Sequence, residues 1–445
     1  FVPEGTSGWE LTVSEGTKRK AQTDYDKRSK APDGLRPEDT TFVFITAHRW
    51  PQKAKWAQER KAEGRWRDVR VYDADDLATW LSQASAVESW FARLVGKRPP
   101  GTVDLDGLWE AWSHETWPPI SEELIMAGRA DACSRVRDWL CGSEAMLRIR
   151  AETREEVIAF FSAVARSLEE TIRQRTLALA VVVRTDDALG DLALRHPPLI
   201  LVLDLDSPDT GPAVRRGHRV ILPLGRETAA GTDVLDLPPP DAQEVARVLE
   251  RDGLPEDRAR QLGILARRSV AALRRKLAVA PEAQHPAWAT PEVGSELAPI
   301  ILAGSWDGAR EGDREALVEL PGGRSYEELE RRLVSLSERP DPPLRRVGEV
   351  WYVTAPEDAW QLLARYLTWD ALERFQRVAT KVLSSPDPRF ELPPDGRYMA
   401  AVLRKTPRYS EHIVRGLAGT LAVMAKSAGS SQVAGMRPND VVRAV

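Results

Sequence analysis

The chain has 445 residues, with 63 Lys and Arg against 67 Asp and Glu and a formal net charge of −4. That length asks for about two to four domains, and the near-balanced charge excludes a polycation that holds nucleic acid by bulk charge alone. Two cysteines, Cys133 and Cys141, cannot build a disulfide framework, or a four-ligand zinc site without histidines, and no Cys/His pairing of zinc spacing occurs; eight apart in a helical pattern, they read as buried thiols. No apolar run approaches the length of a spanning helix and no secretory leader pattern opens the chain, so a cytoplasmic protein is expected. The first residue is Phe1 rather than Met, and the chain is expected to begin inside a larger parent.

Nine of the 15 tryptophans lie in the first 117 residues, and residues 1–100 hold 18 Lys/Arg against 15 Asp/Glu. The basic charge is thus concentrated where the tryptophans are. Residues 8–14 alternate as a strand should, with Trp9, Leu11 and Val13 on one face and Glu10, Thr12 and Ser14 on the other. Residues 18–30 form a strongly basic helix stopped by Pro32-Asp33-Gly34. TTFVFITA, at 40–47, is a continuous apolar run of the kind a strand buried on both faces requires. A helix at 53–64, a strand at 66–73 and a helix beginning near Asp75 follow. The order β-α-β-α-β-α predicts parallel pairing in a layered α/β domain.

KRPPG at 97–101 reads as a linker, and residues 129–141 as an amphipathic helix. A second α/β pattern then runs from AMLRIRA through one helix at 153–170, the strand LALAVVVRT, a short helix near 189–194, and the strands PLILVLDLD and GHRVILPL. Helices at 242–249, 256–266 and 270–277 come next. A strand at 347–353 sits among further helices at 356–366, 370–383 and 410–425, a pattern of winged-helix type.

The sharpest chemical candidate is Glu10 followed by the basic helix. Metal-dependent phosphodiester cleavage needs carboxylates for Mg²⁺ and a lysine near the attacking water, gathered on one sheet edge. Glu10 with Lys18 and Lys20 supplies part of that set; the plain alternative is an edge-strand glutamate beside a solvated basic face. Residues 49–70 carry eight Lys/Arg against three Asp/Glu, interleaved with Trp50, Trp56 and Trp66. Arg49, Lys53, Lys55, Arg60, Lys61, Arg65 and Arg67 are candidate phosphate contacts, with the rings either stacking on bases or anchoring the core.

FVPEGTSGWELTVSEGTKRKAQTDYDKRS, TFVFITAHRW, KAKWAQERKAEGRW and VRVYDADDLATWL together resemble a restriction-endonuclease-like domain of the PD-(D/E)xK superfamily. The resemblance covers about the first 95 residues. Such domains occur fused to STAND- or AAA-like modules in bacterial proteins associated with phage defence. It implies that Glu10 holds Mg²⁺ and that Lys20 or Lys18 replaces the motif lysine, whose place is taken by Thr12. The partner aspartate would lie on a strand before Glu10, so this domain is expected to be incomplete and its activity here weak or absent.

Residues 145–237 are similar to a doubly wound P-loop-NTPase-like core. No G-x-x-x-x-G-K-[ST] occurs; LRIRAETREEVIAFF stands at the equivalent place, with Arg150 and Arg154 near Glu152, Glu155 and Glu156. PLILVLDLD ends on Asp204 and Asp206 like a Walker B strand. The set resembles a STAND-type module with an eroded phosphate loop, so no nucleotide bound through an intact P-loop is expected. RRSVAALRRK places Arg267, Arg268, Arg274, Arg275 and Lys276 on a helix, either for phosphate contact or in pairs with acidic neighbours.

The expected fold class is α/β. A small restriction-endonuclease-like domain (1–97) and a connector (98–144) precede the doubly wound core (145–237), a helical lid (238–290) and a helical, winged-helix-like region (291–445). The expected function is a Mg²⁺-dependent DNA endonuclease module coupled to a STAND-like regulatory module; the alternative is an inactive nucleic-acid- or partner-binding scaffold. DNA is the expected partner, a membrane is not, and homo-oligomerisation is left open.

Overall fold

The computed structural model describes residues 2–84, 87, 88, 91, 101–194, 198–225, 228, 233–339, 341–388, 406–427, 442 and 445. The chain divides into two compact units, residues 1–99 and a second unit of residues 100–194 and 198–445. Both contain strands and helices, and the protein is of the α/β class. Apart from Gly101, the linker read at 97–101 lies outside the described residues.

In the first unit the order is β1 (Ser7–Thr12), α1 (Thr17–Lys30), β2 (Thr41–Thr46), α2 (Lys53–Ala62), β3 (Asp68–Tyr72) and α3 (Ala74–Gln83). The strands lie in the order β1-β2-β3, all parallel, as the alternation of elements predicts. Every β2 residue is buried because both faces are covered. Phe42 and Phe44 face Ala21 and Tyr25 of α1 and Trp56 of α2, with Trp50, Trp66, Val69 and Val71 completing that core. Val43, Ile45 and Tyr72 face the opposite side, where Trp9, Leu77 and Trp80 pack. The helix α1 stops where Asp33 and Gly34 both take positive φ, 52° and 83°, a turn that a helix cannot continue through.

The second unit opens with β4 (Thr102–Asp104), α4 (Leu105–Ser113), α5 (Glu122–Met126) and α6 (Ala130–Cys141). The α/β run follows: β5 (Met146–Arg150), α7 (Arg154–Arg166), α8 (Glu170–Leu179), β6 (Ala180–Val183), α9 (Asp186–Ala193), β7 (Ile200–Leu203), α10 (Gly211–Arg215), β8 (Arg219–Leu224) and β9 (Val234–Asp236). The six strands are ordered β4-β6-β7-β8-β5-β9. All pairs are parallel except β4 with β6. Helix α7 is buried from Glu156 through Ala165; an all-round apolar helix must be covered on every side, and α4, α5, α6 and strands β5 and β8 do so.

Two boundaries differ from expectation. The helix read at 153–170 ends at Arg166, and the LAL of LALAVVVRT closes a second helix instead of opening a strand, because only Ala180–Val183 reaches the sheet. Cys133 is buried, but Cys141, at the C-terminal end of α6, is exposed, correcting the pair of buried thiols.

Helices α11 (Ala242–Arg251), α12 (Glu256–Arg268), α13 (Val270–Leu277) and α14 (Pro281–Gln284) follow, then α15 (Pro291–Ile301), β10 (Ser305–Asp307), α16 (Glu311–Glu319) and α17 (Tyr326–Ser337). The strand expected at 347–353 is a hairpin, β11 (Leu344–Val347) and β12 (Val350–Val353), turning at Gly348 with φ of 59°. Glycine at the first turn position allows the two-residue loop that matches strand twist. Helices α18 (Pro356–Leu363), α19 (Trp369–Leu383) and α20 (Glu411–Ser427) complete a second core around Trp306, Trp351 and Phe375. The basic run 267–276 is not one helix: Ser269 caps α13 by accepting from the Ala272 N–H at 3.1 Å, so α12 and α13 are separate.

Candidate functional site

Register decides where Glu10 points. Glu10 lies opposite Phe44 and Trp9 opposite Val43, and residues adjacent in register on parallel strands share a face. Glu10 therefore projects to the α1 side of the sheet. There Arg28, two turns beyond Lys20 on α1, donates to Glu10 Oε1 from Nε at 2.8 Å and lies at 2.6 Å through Nη2. Arg28 also holds Asp33 from the turn after α1.

Lys20 is not brought to Glu10. Its Nζ lies 2.6 Å from Asp24 Oδ1, one turn along the same helix, and Asp24 is buried. Lys18 is exposed, with no carboxylate within 4.0 Å among the described residues. The donors do not fit a magnesium ion, which wants several hard oxygens and water. Glu10 offers one carboxylate already neutralised by a guanidinium, and among the described residues no group of three or more His, Cys, Asp or Glu side chains gathers as metal ligands would.

The candidate phosphate contacts of residues 49–70 are mostly spent inside the unit. Arg49 pairs with Asp75 at 2.9 Å, Arg60 with Glu63 at 2.7 Å, Lys61 with Asp68 at 2.7 Å and Arg65 with Glu63 at 3.2 Å. Arg67 donates to the Glu4 carbonyl at 2.5 Å and to Thr41 Oγ1 at 3.1 Å. Trp50, Trp56 and Trp66 are buried core residues, so of the two readings of these rings the structure takes the one in which they anchor the core. Of the seven cations, Lys55 alone has no ion-pair or hydrogen-bond partner among the described residues; it is exposed.

Lys53 serves a local structure that sequence reasoning missed. Asp73 follows β3 directly and caps α3 in a capping box with Asp76. It accepts from Lys53 Nζ at 2.6 Å and from the Trp50 N–H at 2.8 Å. Burial alone would raise its carboxyl; the Lys53 ammonium and the backbone donors outweigh that and hold it at about 2. The signal was present in Tyr72-Asp73-Ala74-Asp75-Asp76, an N-cap aspartate with an acid three residues on.

The free positive charge lies instead on α1. Arg19, Thr23, Lys27 and Lys30 recur at spacings of four, four and three, which places them on one helix face. All four are exposed, and Arg19, Lys27 and Lys30 have no carboxylate within 4.0 Å among the described residues. The face spans about 16 Å along the helix axis at 1.5 Å per residue.

In the second unit the place of a phosphate loop is the C-terminal end of β5. Thr153 caps α7 by accepting from the Glu156 N–H at 3.1 Å. Arg154, at the first turn of α7, makes an ion pair with Asp206, just beyond β7, and its Nη2 lies 3.4 Å from the Tyr352 hydroxyl on β12. Arg150, the last residue of β5, pairs with Asp236 at 2.5 Å and donates to the Thr228 carbonyl at 2.9 Å. Sequence reading singled out Arg150, Arg154 and Asp206 separately; the fold makes the latter two each other's counter-ion. Arg274 pairs with Glu115 and Glu155, and Arg275 with Asp358 and Asp341, so these two of the 267–276 cations have acidic neighbours.

Among the described residues no helix is long and apolar enough to cross a membrane. No protein-family model and no curated protein matches the chain.

Proposed function

We propose that the first unit is a nucleic-acid-binding module of restriction-endonuclease-like type, joined to a STAND-like regulatory scaffold, and that it acts by holding DNA rather than by cutting it. The observation that carries this reading is the unpaired cationic face of Arg19, Lys27 and Lys30 on α1. Three cations on one face without internal counter-ions repel one another, and a phosphate backbone relieves that while releasing its own counter-ions. The setting implied by the resemblance is bacterial defence against phage.

The scaffold part of the reading is supported by topology. The first strand of the core run, β5, lies between the fourth and fifth, β8 and β9, so the chain reverses direction across the sheet there, the position at which doubly wound sheets bind ligands. Arg154 and Asp206 already neutralise each other at that end of the sheet. A module that supplies its own cation and anion at this crevice is suited to a fixed structural role.

Fluorescence anisotropy of labelled duplex DNA with the whole chain tests the reading. Binding should weaken as salt rises. The triple change Arg19→Glu, Lys27→Glu, Lys30→Glu should lower affinity about tenfold or more and flatten the salt slope by about three phosphate contacts. Binding that the triple variant leaves intact would overturn it. The hydrolytic alternative, with Glu10 serving Mg²⁺, requires Glu10 to leave Arg28. It predicts Mg²⁺-dependent plasmid nicking that Glu10→Ala abolishes.

A further inference from the structure

Within the second unit, α12, α13 and α14 meet α18 around a cavity of about 290 Å³. Its floor is an ion pair. Arg275 Nε donates to both Asp358 oxygens at 2.9 and 2.8 Å, Nη1 donates to the Ala283 carbonyl at 2.6 Å and Nη2 to Asp341 at 3.0 Å. The guanidinium also lies over the Trp288 ring, 5.6 Å from its centroid. Asp358 is almost fully buried, so this pair is a fixed part of the wall.

Among the described residues, three further cations are exposed and form no ion pair: Lys276 feels the Asp358 charge at longer range, and the Arg365 guanidinium lies over the Tyr366 ring, 4.8 Å from its centroid. Arg258 from α12, Lys276 from α13 and Arg365 after α18 line the cavity, and none has a carboxylate within 4.0 Å among the described residues. Arg274 and Arg275, next to Lys276 in the chain, each meet two carboxylates directly, whereas Lys276 has Asp358 only as a longer-range counter-charge. One wall is apolar, formed by Leu265, Ala272 and Leu362, and the Gln361 amide also faces the cavity.

Three exposed cations lining one cavity beside an apolar wall, in a space at the small end of the range for small-molecule sites, suit a ligand with clustered negative charge and a flat or apolar portion. We propose that this cavity binds a phosphorylated small molecule, its phosphoryl groups held by Arg258, Lys276 and Arg365. The site is separate from the Arg154–Asp206 crevice and independent of the α1 face. Because its walls come from α12–α14 and from α18, occupancy ties those helices together and stabilises the unit.

Isothermal titration calorimetry of the whole chain with sodium triphosphate and with ADP, without divalent cations and at fixed ionic strength, tests this. One molar equivalent should bind, and the Tm should rise with ligand. The double variant Lys276→Glu, Arg365→Glu should weaken affinity about tenfold or more. Arg267→Glu, an exposed change on α12 that does not line the cavity, should leave it unchanged, as should the α1 triple variant. Should the charge reversals unfold the chain, Lys276→Gln with Arg365→Gln carries the same comparison. Equal affinity for the two probes supports recognition of phosphate alone, and tighter ADP binding supports a role for the apolar wall. The proposal is overturned if neither probe binds more tightly than sulfate, or if the Arg267 or α1 variants lose as much affinity as the cavity variants.

Discussion

Arg28 closes on Glu10 through two nitrogens, at 2.8 and 2.6 Å, and so fastens α1 to the edge strand of the first sheet. Both side chains are about three-quarters buried, so the pair is only partly screened. A double-mutant cycle with Arg28→Ala and Glu10→Ala, followed by urea denaturation, should give a coupling of about 0.5–1 kcal/mol. A coupling of zero would mean that the pair does not hold the helix.

Asp73 sets an acid limit on the first unit. Its carboxyl sits at about 2, below the ordinary value near 3.8. The folded state therefore favours the charged form, and the stabilisation is fully present above the unfolded-state value. It falls away as pH drops from about 4 toward 2, and amounts to about 2 kcal/mol. Thermal melts between pH 2 and 6 should show that loss for the parent and a flatter profile for Asp73→Asn, whose Tm at pH 6 should be lower. Identical slopes would remove Asp73 from the account.

The Arg129–Glu156 pair lies deep in the second unit. Both side chains are nearly inaccessible, and Arg129 also donates to the Pro238 carbonyl at 2.8 Å and the Ile125 carbonyl at 3.1 Å. Removing one partner strands a buried charge, at a cost of about 3–5 kcal/mol. Glu156→Ala should lower the denaturation midpoint strongly, whereas replacing both residues together with apolar side chains of similar volume should restore part of it. Chemical denaturation of the three variants checks this.

Gly263 permits the close crossing of α11 and α12. A Cβ there would stand 2.2 Å from the Ala242 carbonyl oxygen, a backbone atom that cannot swing aside. Gly263→Ala, normally favourable in a helix, should instead destabilise by about 1–3 kcal/mol. Gly190, with open space around its position, is the control: Gly190→Ala should be neutral or stabilising in the same denaturation assay.

The elements that follow from local pattern were legible. β2 announces itself through six consecutive apolar or β-branched residues, all buried, and the parallel order of the first sheet follows from the alternation of strands and helices. What was hidden is pairing between distant residues. Nothing in the sequence around Glu10 distinguishes Lys20 from Arg28 as its neighbour. The choice depends on the height at which α1 crosses β1, and Lys20 is drawn off by Asp24 one turn away. The basic run at 49–70 misled for a related reason: Asp68, Asp73 and Asp75 that neutralise much of it come from β3 and the start of α3. The tryptophans interleaved with it fill a small core in which Ala21, Val69 and Val71 are the only aliphatic members among the described buried residues. The hairpin at Gly348 was within reach of turn chemistry, since a glycine between two strand-forming runs is itself a turn signal.

The position of β5 bears on how the second unit is made. Its two neighbours, β8 and β9, both come about 70–90 residues after it, and Asp236, the ion-pair partner of Arg150, lies 86 residues beyond Arg150. During synthesis β5 has no strand to pair with until residues 219–224 have emerged, and the far side of it stays open until 234–236. Long-range parallel pairing is slow because loop closure precedes any reward in contacts. Between residues 150 and 219 the second unit therefore carries a strand whose buried Leu147 and Ile149 have no neighbouring strand, the interval in which a holding chaperone has most to shield.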